Sequence, residues 1–140
     1  MPFTLPARPP RVLVVDDSIV VRQVLCFTLR LLPEFFDAAI DEAGNGAIAL
    51  KKLVDNRYDL VLSDIRMPYV DGLELVRRAR QELTLGIPIV LISTLGTEQD
   101  VQRGLAAGAT AYLVKPISPH YIKQSLRELL DRGVVTFPPH

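Results

Sequence analysis

Three stretches of this chain are apolar almost from end to end, and two of them close on acidic residues: RVLVVDDS from Arg11, YDLVLSD from Tyr58, and IPIVLIS from Ile87. A strand with one wet face alternates apolar and polar residues, whereas a continuous β-branched run marks a strand covered on both faces. Two weaker runs, DAAIDEA from Asp37 and AYLVK from Ala111, bring the set of strands to five. Helical patterns follow each of them. They run from Ile19 to Leu32, stopped by Pro33, from about Gly46 to Asp55, from Asp71 to Leu83, from about Thr97 to Ala107, and from Ser118 to Asp131. Ser18 is placed to cap the first, and Gly72, Leu73, Leu75 and Val76 suit the packed face of the third. Regular alternation of strand and helix, without internal repeats, predicts an α/β fold of (βα)5 type, with a parallel five-stranded sheet between two helical layers and right-handed crossovers.

Composition narrows the class. At 140 residues the chain suits one domain, and 49% hydrophobic with 23% charged residues is ordinary for a globular protein. Lys plus Arg equals Asp plus Glu at 16 each, so no net field favours nucleic acid or an acidic membrane, and a direct nucleic-acid role would need another domain. The single cysteine, Cys26, has no partner for an internal disulfide, which points to a reducing cytoplasm. MPFTLPARPP has four prolines and no apolar run, so residues 1–10 are read as a flexible tail rather than a signal or anchor. The domain is expected over residues 11–132, with 133–140 a second tail or the start of a linker.

In parallel α/β sheets, sites form at the carboxyl ends of the strands. There the first strand offers Asp16 and Asp17, the third Ser63 and Asp64, the fourth Ser93 and Thr94, and the fifth Lys115 followed by Pro116. One aspartate after a strand is usually a cap or turn former. Four strand ends filled in this way are harder to explain so. Two carboxylates about 4 Å apart repel by roughly 4 kcal/mol at an effective dielectric of 20, so three together require a cation. An all-oxygen donor set favours a hard ion such as Mg²⁺ over zinc. Metal and lysine together point to phosphoryl chemistry, with an ionised carboxylate as its own nucleophile.

The segments VLVVDDS, LVLSDIRMPYVDGLEL, PIVLIS and GATAYLVKP, in that order, resemble the receiver domain of bacterial two-component response regulators over about Arg11 to Asp131. The resemblance implies the flavodoxin-like, CheY-like strand order 2-1-3-4-5. It also implies that Asp64 is the phosphoacceptor, taking its phosphoryl group from the phosphohistidine of a sensor histidine kinase. Asp17 would hold Mg²⁺ directly and Asp16 partly through water, and Arg66 would lend its backbone carbonyl. Ser93 and Lys115 would contact the phosphoryl group, Pro116 would follow a cis bond, and Pro68 and Gly72 would turn the chain back into a helix. Thr94 competes with Ser93, but the spacing to Tyr112 and Lys115 favours Ser93. Tyr112, nineteen residues after Ser93, falls at the family's switch aromatic; a half-buried strand tyrosine is the alternative.

The implied role is a signalling receiver rather than an enzyme, using its last helix–strand–helix face for an output protein or domain that the sequence does not identify. Other readings are the receiver of a larger regulator or hybrid kinase, and an interaction module independent of phosphorylation. A flavin carrier would want Ser, Thr or Gly where Asp16 and Asp17 stand, and an aspartyl phosphatase would want an acid where Arg66 stands. The first helix carries a surplus: Val21, Val24, Leu25, Thr28 and Leu29 suit a core face, leaving Val20, Phe27 and Leu31 over. Either a loop carrying Phe35 and Phe36 covers them as a second packing layer, or they form a docking face for the kinase or a homodimer.

Overall fold

The computed structural model describes residues 8–116 and 118–136. Five strands lie in one parallel sheet, ordered β2-β1-β3-β4-β5. They are β1 (Arg11–Val15), β2 (Ala39–Ala43), β3 (Leu60–Asp64), β4 (Ile89–Ser93) and β5 (Ala111–Val114). The helices between and after them are α1 (Ile19–Arg30), α2 (Gly46–Asp55), α3 (Gly72–Gln81), α4 (Glu98–Ala107) and α5 (Pro119–Asp131). Each helix begins on a side chain that accepts a hydrogen bond from the main chain three residues on: Ser18, Asn45, Asp71, Thr97 and Ser118. Such caps satisfy N–H groups that have no partner within the helix.

Alternate residues of the central strands enter different layers, as the two-residue period of a strand dictates. Val12, Val14, Leu60, Leu62, Val90 and Ile92 pack with α1 and α5, while Leu13, Val15, Val61, Ile89 and Leu91 pack with α2 and α3. Arg80, late in α3, is a clamp within the second layer. Its guanidinium donates to the carbonyls of Leu85 (2.8 Å), Ile87 (2.6 Å) and Gly108 (3.0 Å), and to the Thr110 hydroxyl at 3.3 Å.

The structure departs from expectation after α1. That helix ends at Arg30, and Pro33–Phe35 form a 3₁₀ turn that drives Phe35 into the core. Phe36 points away, leaving Val20, Phe27, Leu31 and Phe36 exposed, so among the described residues no second layer closes over α1. Val21 and Val24 are only half-buried. The chain edges also hold more structure than tails would: Arg8 is bound to Asp59, Pro10 is buried, and Val135 is buried against the α1 and α5 layer. The remainder of the expected tails, residues 1–7 and 137–140, lies outside the described residues. Among the described residues no helix is long and apolar enough to cross a membrane.

Candidate functional site

The sheet register assembles the site. Val15 is level with Ser63 on the neighbouring strand, so Asp16 leaves β1 beside Asp64, the last residue of β3. On the other side Asp64 is level with Ile92, and Ser93 with Val114. The Lys115 N–H donates to the Ser93 carbonyl at 2.7 Å, which brings the lysine to the same rim, and the Lys115–Pro116 bond is cis. Asp16, Asp17 and Asp64 each place a carboxylate oxygen so that all three lie within 4.8 Å of one another.

Their environments differ. Asp16 is buried, with one oxygen accepting from the Ser18 N–H (2.9 Å) and the other from Lys115 Nζ (3.1 Å). Asp17 is exposed. Asp64 is buried, 3.6 Å from Lys115 Nζ, with an oxygen accepting from the Ile65 N–H at 2.8 Å. Burial, then the Asp16 carboxylate, push Asp64 above the ordinary carboxylate range, against the pull of Lys115. Among the described residues, Lys115 is the cation within ion-pair distance of Asp16 and Asp64, so the three acids exceed their compensation. Their oxygens suit a hard divalent ion such as Mg²⁺, which takes one or two carboxylates and keeps several waters.

The loop after β3 turns on a close approach. A Cβ on Gly72 would lie 2.2 Å from the Asp64 carbonyl oxygen, so no larger residue fits there, and the Gly72 N–H donates to the Ile65 carbonyl at 2.7 Å. Arg66, Met67 and Pro68 line the mouth with Asp17 and Leu95, the Arg66 side chain being exposed. Ser93 is fully buried and its hydroxyl accepts from the Leu95 N–H at 3.1 Å, whereas Thr94 is exposed. The half-buried Tyr112 donates its O–H to the Leu95 carbonyl, linking β5 to the loop after Ser93. Burial pushes the Tyr112 hydroxyl up, with the Ser93 hydroxyl acting the other way.

Sequence reasoning overlooked Arg22. One turn into α1, its guanidinium donates to the Asp16 carbonyl at 2.6 Å and pairs with Glu42 at 3.0 Å, holding the strand end in place. Only the position of Arg22 six residues after Asp16 hints at this role, and nothing in its local pattern does.

The profile of the response regulator receiver domain matches residues 12–127. This chain belongs to that family. It is 37% identical over 126 residues to the transcriptional regulatory protein ResD of Bacillus subtilis, covering 90% of this chain and 50% of ResD. It is 35% identical over 125 residues to a chemotaxis protein CheY homolog of Campylobacter jejuni, covering 88% and 94%. The solved structure of the chemotaxis response regulator CheY4 of Vibrio cholerae superposes with a TM-score of 0.77 at 34% identity, covering 87% of this chain and 99% of that one. The chain thus spans about half the length of ResD and nearly all of the chemotaxis relatives. Receiver domains are signalling modules, and their Mg²⁺ is typically held at an acidic site such as this one.

Proposed function

We propose that this receiver accepts a phosphoryl group on Asp64 from the phosphohistidine of a sensor histidine kinase and thereby changes what its α4–β5–α5 face binds. The observation that carries the reading is the group of three carboxylates beside Lys115 at adjacent strand ends. An Asp64 oxygen attacks phosphorus, the P–N bond breaks, and the donor imidazole leaves with the electron pair. Asp17 and Asp64 would hold Mg²⁺ directly, Asp16 through water, and Arg66 by its backbone carbonyl. The ion would supply positive charge against the phosphoryl oxygens. Lys115 adds an ammonium at the same place and Ser93 a hydroxyl. Ser93 moving toward the phosphoryl group would alter the loop that carries Leu95, and Tyr112 would follow. The output partner is a further domain, as the greater length of ResD suggests, or a separate protein, as with a relative of CheY length.

Incubation with phosphoramidate and Mg²⁺ tests this directly. A phosphoryl adduct should form and be abolished by Asp64→Asn. Absence of an adduct on the folded wild-type chain would favour an interaction module that works without phosphorylation.

A further inference from the structure

Tyr112 rests on a helix position that has no side chain. A Cβ added at Gly104 would lie 2.7 Å from Cδ2 and 3.0 Å from Cε2 of the Tyr112 ring, and 3.1 Å from Leu91 Cδ1. Gly104 lies inside α4, with no positive φ and no turn that calls for glycine. At such a place glycine weakens a helix relative to alanine, so its presence needs a reason outside the helix. The ring overhead is that reason. At its other end the Tyr112 O–H donates to the Leu95 carbonyl, and the Leu95 N–H donates to the Ser93 hydroxyl. One continuous line of contacts therefore runs from α4 through Tyr112 and Leu95 to Ser93, whose strand is hydrogen-bonded to the one that ends in Asp64.

We infer that Gly104 is a positioning residue for the switch: its missing side chain admits the Tyr112 ring beneath the β4–α4 loop and so couples that loop to the α4–β5 surface. The inference rests on the reading above, in which Tyr112 responds to phosphorylation at Asp64. A methyl group at position 104 would turn the ring outward, break its bond to Leu95 and weaken the coupling in both directions, because linkage between two sites is reciprocal.

The test uses the full chain as wild type, Gly104→Ala, Tyr112→Ala and the double variant. In Gly104→Ala, the ring resonances of Tyr112 in ¹³C-tyrosine-labelled protein should move to an exposed position. Phosphorylation by phosphoramidate with Mg²⁺ should slow about tenfold, within the ordinary range of allosteric coupling. The unfolding midpoint should fall, since the methyl crowds the Tyr112 ring and the buried Leu91, and should recover on the Tyr112→Ala background, where alanine's preference for the helix is left. On the Tyr112→Ala background the same substitution should change the rate less than about twofold, as expected when one residue acts through the other. An unmoved Tyr112 signal with an unchanged rate would overturn the inference, as would an equal slowing on the Tyr112→Ala background. If Gly104→Ala fails to fold while the double variant folds, the steric dependence on Tyr112 is upheld. A wild-type chain that forms no adduct would overturn the phosphorylation reading and with it the coupling, while the ring resonances would still report whether Gly104 sets the Tyr112 position.

Discussion

The two ends of the sheet handle charge in opposite ways. At the amino end, acids are matched. Asp59 is gripped by two nitrogens of Arg8 at 2.8 and 2.9 Å and also accepts from the Arg11 N–H at 2.8 Å. Glu34, in the turn after α1, is held by two nitrogens of Arg127 on α5 at 2.6 and 2.7 Å. Burial alone would push Glu34 up, but the Arg127 hydrogen bonds hold it below the ordinary carboxylate range. At the carboxyl end three acids converge, one lysine pairs with two of them, Asp16 and Asp64, and Asp64 is pushed the other way. Matched charge fastens the fold together, whereas surplus charge of one sign is retained at a cost to stability.

Substitutions can break this contrast or sharpen it. Arg127→Met should have the largest effect, a loss of roughly 2 kcal/mol, less than for a fully buried pair because the Arg127 side chain is 36% exposed. The Glu34 pKa is depressed in the folded chain, so this pair contributes stability above the ordinary carboxylate pKa and loses it on acidification. Urea unfolding at two pH values would show the deficit at neutral pH and its shrinkage in acid; a gain in stability at neutral pH would erase the contrast. Asp64→Asn should act with the opposite sign. Because the Asp64 pKa is raised on folding, the wild-type carboxylate loses stability as pH rises through its range, and the amide removes that loss. A gain on the order of 1 kcal/mol is expected at neutral pH without Mg²⁺. It should narrow when Mg²⁺ stabilises the wild type and vanish below about pH 4. A destabilised Asp64→Asn chain in metal-free buffer would place Asp64 among the matched charges. Arg78→Ala is the control: Arg78 pairs with Glu82 at 3.0 Å on an exposed face, and its loss should stay within about 0.5 kcal/mol by thermal unfolding.

The layered architecture was legible in the sequence because both of its signals are local. Continuous apolar runs mark strands covered on both faces, and Ser18 announced the first helix, although the caps at Asn45, Asp71, Thr97 and Ser118 emerged only in the structure. The site was legible for a related reason, since strand ends in a parallel sheet meet at one rim whatever lies between them. The strand order came from family resemblance, as alternation alone does not specify which strands are neighbours. Other features were hidden because they join distant residues. Glu34 and Arg127 are separated by 93 positions, and Arg8 and Asp59 by 51. The opposite fates of Phe35 and Phe36 depend on the 3₁₀ turn after Pro33, where adjacent side chains diverge. Gly104 looked like an ordinary helix residue until the tyrosine ring was seen above it.

Arg80 has a mechanical consequence. Its guanidinium ties the carbonyl just beyond the carboxyl end of α4, at Gly108, to the connection between α3 and β4. At the amino end of the same helix, Thr97 and Asp100 bond only to each other, closing the helix's own first turn on an exposed surface. α4 is thus tied to its surroundings at its carboxyl end by Arg80, while ahead of its amino end the Tyr112 hydroxyl of β5 ties the loop at Leu95. Force applied to α4 therefore reaches the connection between α3 and β4 through Gly108, and the sheet through Leu95.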